Sequence, residues 1–194
     1  MKKMPVMFVL CFVLYLPQPV ISQSLDWQLQ FLRGSVRESV PVSEIIKVEK
    51  NSEFNLVIKA DTNCYCYVIF YDDARQCHVL HNQAIRAGVE LPLGPYWITE
   101  PSRTQTVYVI MSMSRQTDLE RMITAHGRNP DSRQNNNNLY GEITKLQNAS
   151  SPGEQVKPII TRGGTDRDAG NTSQNIAAKF SGKDFYVWPI IVSP

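Results

Sequence analysis

The sequence predicts a mainly β protein, a β-sandwich-like domain with one or two short helices. Three observations lead there. Leu25, Trp27, Leu29 and Phe31 alternate with Asp26, Gln28 and Gln30, the period of a half-buried strand. Cys64–Leu80 is an aromatic and β-branched run, a polar break over Asp72–Gln76 and a second apolar run, the pattern of a buried β-hairpin. The chain closes on Phe185–Val192, the most apolar stretch outside the N-terminus, and so long an apolar strand has to be buried.

The remaining elements follow in order. Residues 33–44 are polar, contain Pro41 and read as a loop. Ile45–Val48 is a short apolar piece, Glu49–Ser52 a turn and Phe54–Lys59 a strand that Asp61–Asn63 breaks. In the central run Tyr65, Tyr67, Ile69 and Tyr71 share one face, and Cys66, Val68 and Phe70 the other. Both faces are apolar or aromatic, which places this strand inside a sheet covered on both sides. An uncovered odd face would instead make Tyr65, Tyr67 and Tyr71 a binding strip. Ile85–Leu93 reads as short extended pieces, Gly94-Pro95 as a turn, Tyr96–Thr99 as a short strand and Thr104–Met113 as a long one.

The period then changes. Thr117-Asp-Leu-Glu120 has the form of a capping box. Leu119, Met122, Ile123 and His126 fall on one helical face, and Gly127 with Pro130 reads as the stop. Residues 129–138 include four consecutive Asn and read as an exposed loop. Leu139, Ile143 and Leu146 suit a second short helix over 139–147, despite Gly141. Residues 150–153 and 162–173 read as loops, so 129–175 forms a loop-rich excursion. A last hairpin, Ile176–Phe180 and Phe185–Val192, returns to the sheet, with Pro189 placing its final strand at an edge.

The N-terminus has the form of a secretory signal peptide over 1–22: Lys2 and Lys3, an uncharged run from Val6 to Leu16, and Ser22 before the expected cleavage. The run is too short for a membrane span, which needs about 20 residues, and Cys11 lies inside it as a poor lipid acceptor. Residues 23–194 then form a single β-rich domain with no transmembrane helix. Losing Lys2 and Lys3 takes the 20 basic residues of the chain to 18, equal to its 18 acidic ones. A neutral balance argues against nucleic acid and anionic membranes as partners.

Cys64, Cys66 and Cys77 remain after export. Cys64 and Cys66 are two apart on one strand, too far for an easy bridge. A turn centred on Asp73-Ala74 sets Cys77 opposite Phe70, and all three thiols suit small buried positions. The sharper alternative is a zinc or copper site from Cys64, Cys66, Cys77 and His81. Strand alternation puts Cys77 and His78, and His78 and His81, on opposite faces; Cys66, pairing near His81, leaves Cys64, Cys66 and His81 as a smaller set. Asp166-x-Asp168-x-Gly170 lacks the distal Glu of a calcium loop, and Arg162-Gly-Gly164 lacks the rest of a phosphate loop. No nucleophile or metalloprotease motif is present, so neither a catalytic residue nor a cofactor is assigned.

Residues 46–120, with the last hairpin, resemble an uncharacterised extracytoplasmic bacterial family, domain of unknown function 4384. The resemblance rests on Asn51-Ser-Glu-Phe54, the aromatic strand Tyr65–Tyr71, the Asp turn, His81-Asn82, Ile85-Arg-Ala-Gly88 and Leu91-Pro92. Ala74 stands where the family usually has Gly, and Leu80-His-Asn82 where it has Phe-Pro-Asn. The resemblance implies a β-sandwich-like domain and no reaction. Together these readings describe an exported, non-catalytic binding module of the bacterial periplasm or cell envelope, with an envelope protein or glycan as partner. The alternative is a metal- or thiol-handling envelope protein.

Overall fold

The alternation from Leu25 to Phe31 forms strand β1 (Leu25–Arg33), with all four apolar side chains buried. The structure, a computed structural model, describes residues 24–42, 45–49, 51–98, 104–150, 159–162, 176–182 and 184–193. The segment 1–22 expected to be a signal peptide, the Asp166–Gly170 motif and Gly163-Gly164 lie outside them. β1 runs antiparallel between β4 (Ser52–Ala60) and β10 (Ile176–Gly182). β7 (Glu90–Ile98) and β9 (Ile159–Arg162) flank these, and the short β2 (Glu38–Val40) pairs with the end of β1. A second sheet runs in the order β3 (Ile46–Lys47), β11 (Phe185–Ser193), β8 (Gln105–Ser112), β5 (Cys64–Tyr71), β6 (Cys77–Ile85).

The inner faces of the two sheets enclose one apolar core, as alternating strands in a sandwich require. Trp27 stacks on Phe180 at 4.2 Å and Phe31 on Phe54 at 5.2 Å between ring centres. Helices α1 (Thr117–Arg128) and α2 (Arg133–Ala149) cover the outer face of the second sheet. There Tyr67, Ile69, Ile110 and Val187 meet Leu119, Ile123, Leu139 and Ile143 in a second core. Strand β5 is therefore buried on both faces. Tyr67 is fully buried and Tyr71 stacks on Tyr140 at 4.2 Å, so Tyr65, Tyr67 and Tyr71 form no open strip.

Several local expectations are corrected. The Asn run is not a loop: Ser132 caps α2 through a hydrogen bond from Asn135 N, and the helix starts at Arg133. Only two of the four Asn face solvent. Asn135 Nδ2 donates to Ala125 O, tying α2 to α1, and Asn136 is buried. The span 129–175 is thus not simply an excursion, since α2 contributes to a core and β9 pairs with β10. The capping box does not form. Gln116 is the N-cap of α1 and makes no side-chain cap; its Nε2 donates to Ser112 Oγ, while Glu120 is engaged by Arg115 and Tyr67. Gly127 lies inside α1 rather than beyond it.

The last two strands are not a hairpin. β10 joins the first sheet and β11 the second, so the two strands lie in different layers. This lets both strands bury an apolar face in the common core. Pro189 pairs with Tyr108 on one side, whereas β3 reaches only Val192 and Ser193 on the other. Gly94-Pro95 is not a turn but lies within β7. The expected loop at 33–44 contains β2. Among the described residues no helix is long and apolar enough to cross a membrane.

Candidate functional site

The β5–β6 turn is built by Asp72. Its Oδ1 accepts from Gln76 N at 2.7 Å, its backbone exchanges hydrogen bonds with Gln76 and Arg75, and Arg75 takes a positive φ of 63°. Asp72 Oδ2 faces His78 Nε2 at 2.7 Å, with the imidazole donating when that nitrogen carries its hydrogen. His78 lies opposite Phe70, with ring centres 5.9 Å apart. The turn so fixes a carboxylate, an imidazole and a phenyl ring at one end of the second sheet.

Facing them, the pairing of β4 with β7 is irregular between Phe54 and Leu56. Gly94 there has φ 115°, and a Cβ on it would sit 2.8 Å from Asn55 Oδ1 and 3.0 Å from Phe54 O, so no larger residue fits. Beyond it the strand resumes and sets Tyr96 5.4 Å from Phe54, ring to ring. Trp97 follows, 59% exposed.

Between these two constructions lies a cleft of about 630 Å³. The first sheet lines it with Asn51, Phe54, Tyr96, Trp97 and Ile98. The second contributes Phe70, Asp72, Asp73, His78, Leu80 and Gln105. Gln105 opens β8 and is 4% exposed, yet its Oε1 has no hydrogen-bond partner among the described residues. An unpaired buried acceptor costs about 1–3 kcal/mol. It marks a place where a donor group can be received.

The sequence-derived site residues are dispersed. Cys64 and Cys66 sit in the inner core, where burial pushes the Cys64 thiol up to about 11 and that of Cys66 higher still. Cys77 sits in the outer core beneath the helices and is pushed up to about 12 by burial. All three are free and buried. Cys77 faces Tyr71 rather than Phe70, and Cys66 faces Gln83 rather than His81. The turn sets the first offset, at Tyr71 and Cys77, and a bulge that shifts the register between Val68 and Ile69 adds the second, at Cys66 and His81. The bulge returns His81, opposite Val68, to the same inner face as His78, opposite Phe70. His81 Nε2 is buried and unpartnered, and burial lowers its pKa. Among the described residues no three His, Cys, Asp or Glu side chains converge as a metal ion requires.

Two further depressions border α1. One of about 450 Å³ is lined by Cys77, Ile123, His126 and Pro130, among others. The other, about 400 Å³, includes Tyr65, Arg115 and Glu120. There Tyr67 Oη donates to Glu120 Oε1 at 2.8 Å and accepts from Gln116 N at 3.1 Å. Arg115 holds the other side of that carboxylate, and its guanidinium depresses the Glu120 pKa below the ordinary value. The two Tyr67 contacts fasten α1 to the sheet.

Sequence reasoning missed the Asp72–His78 pair, Gln105 and the aromatic walls as one site. Only the Asp turn carried a local signal; the rest come from four separate segments between residues 51 and 105. No family model, no curated protein and no solved structure matches the chain.

Proposed function

We propose that this chain is an exported, non-catalytic binding module of the bacterial periplasm or cell envelope, and that its ligand occupies the cleft between Tyr96 and His78. The observation that carries this is the unpartnered, buried Gln105 Oε1 in an aromatic-walled cleft. Pockets with apolar walls and a few fixed polar groups are the usual form of a ligand site. The non-catalytic reading follows the sequence, which carries no nucleophile or metalloprotease motif. The signal-like N-terminus supports export. The thiol-handling alternative draws no support from a geometry that divides Cys64 and Cys66 from Cys77 by the thickness of a sheet.

Native mass spectrometry of the protein recovered from the envelope tests the reading. Wild type carries an added mass that Trp97→Ala loses, with unchanged melting because Trp97 is exposed. Equal occupancy in both proteins contradicts it.

A further inference from the structure

We infer that the cleft takes a neutral saccharide, a pyranoside carrying no charged group. The inference rests on the reading of the cleft as the ligand site and names the chemistry that the lining selects. The charges of the lining are already engaged. Asp72 accepts from Gln76 N through Oδ1 and faces His78 Nε2 through Oδ2, each at 2.7 Å. Asp73 has an interaction of its own. Among the described residues the lining holds no Lys or Arg. A cationic ligand would have to compete with His78 for Asp72, and an anionic one would meet no ammonium or guanidinium group. Taking either charge out of water without a partner is costly, and a neutral ligand avoids that cost.

The remaining polar groups both give and take. Gln105 Oε1 is buried and unpartnered, so it requires a donor. The side chains of Asn51, Tyr96 and Trp97 bring donors, and those of Asn51 and Tyr96 bring acceptors as well. A wholly apolar ligand would leave Gln105 Oε1 orphaned. A hydroxyl donates and accepts at one oxygen, so it can meet either kind of group. The aromatic wall supplies the second demand. Phe54 lies 5.4 Å from Tyr96 and 6.3 Å from Phe70, centre to centre, so three rings form one continuous surface. A pyranoside answers both: hydroxyls stand around its rim, and its face is made of C–H groups whose slight positive charge the negative face of an aromatic ring attracts. A neutral peptide backbone brings amides but no such face.

Isothermal titration of the full mature chain tests this. The probes are maltotriose, cellotriose and chitotriose, with spermidine, trigalacturonate and acetyl-tetraalanine amide as cationic, anionic and peptide counterparts. Saturable binding of at least one neutral sugar is expected, with an affinity that added salt changes by less than about twofold, because no charge pair is made. Gln105→Leu should weaken that binding about tenfold through the lost hydrogen bond. Tyr96→Leu, at a half-buried position, should weaken it to a similar degree through the lost ring face. Thermal melts establish that each variant is folded, and if Gln105→Leu is not, Tyr96→Leu decides alone. Binding of spermidine, trigalacturonate or the peptide without any neutral sugar overturns the saccharide inference and leaves the binding reading intact. Sugar binding that keeps its full affinity in the folded variants also overturns it. No binding by any probe overturns it as well, while the native-mass experiment still decides the binding reading on its own.

Discussion

Asn136 Oδ1 accepts a hydrogen bond from Cys77 N at 2.6 Å, although 59 residues separate them. The same amide donates through Nδ2 to Arg75 O at 2.6 Å. One side chain from α2 thereby satisfies a donor and an acceptor at the start of edge strand β6, as a neighbouring strand would. The turn it holds also carries Asp72 and begins the strand that carries His78, so the helical layer supports one wall of the cleft on the opposite side of the sheet.

Asn136→Ala leaves Cys77 N and Arg75 O without this partner under a helix. We expect a loss of about 1–3 kcal/mol, chiefly from the buried Cys77 N, because Arg75 O is only part-buried. Asn137→Ala and Asn138→Ala, on exposed positions of the same run, should change stability by no more than about 0.5 kcal/mol. Urea melts of the three variants decide it; equal effects would remove the clamp from the account.

That contrast also shows what the sequence could convey. Four identical residues carry no periodicity, and Asn is a turn and cap residue by local preference. Tertiary contacts alone separate buried Asn136 from exposed Asn137. Leu139, Ile143 and Leu146, by contrast, announced their helix because apolar spacing is local. The same holds for β1, whose alternation maps onto burial residue by residue. The C-terminal strands were legible as strands, but their partners were not: nothing local tells a hairpin from a crossing between sheets. The cleft was illegible for a similar reason. Gln105 and Tyr96 meet Asp72 and His78 only through sheet packing, and the bulge in β6 reversed the face expected for His81.

Gln105→Leu exchanges an unpartnered buried acceptor for an apolar side chain of similar volume. Removing that cost should leave stability unchanged or raise it by about 1 kcal/mol. A gain in thermal stability together with weaker ligand binding is the expected pair of results. A loss above about 2 kcal/mol would mean that Gln105 is a structural residue.

Glu120 provides a pH-dependent fastening of α1. Its folded pKa is lowered, first by Arg115 and then by Tyr67, against the opposing effect of burial. A depressed carboxylate contributes its full stabilisation above its ordinary pKa of 4.5 and loses it as pH falls through the folded value. Glu120→Gln should therefore be less stable than wild type at neutral pH, and the difference should shrink on acidification below about 4.5. Thermal melts from pH 7 to pH 3 give the test; a constant difference contradicts it.

Cys66 fills the inner core without coordinating or bridging in this account. Cys66→Ala should cost on the order of 1 kcal/mol through lost packing. In the native protein Cys64, Cys66 and Cys77 should resist a thiol reagent until unfolding, and a chelator or reductant should leave the melt unchanged. Rapid labelling, or a chelator-induced drop in stability, would favour the metal and thiol reading.

Ile190, fully buried, and Ile191, 38% exposed, are neighbours on β11. Ile190→Ala should cost about 2–5 kcal/mol, and Ile191→Ala clearly less. Deleting 184–194 should leave the protein insoluble or unfolded, because β11 lies between β8 and β3 and serves both cores.

The cleft is tested most directly by the indole N–H resonances of the 3 tryptophans. Trp97 stands at the cleft, 59% exposed, while Trp27 is buried in the inner core at 1%. On titrating the ¹⁵N-labelled mature protein with the small-molecule fraction of envelope extract, the Trp97 resonance should shift saturably and that of Trp27 should stay fixed. Saturable shifts confined to residues around α1, with Trp97 unmoved, would place binding elsewhere and contradict the account.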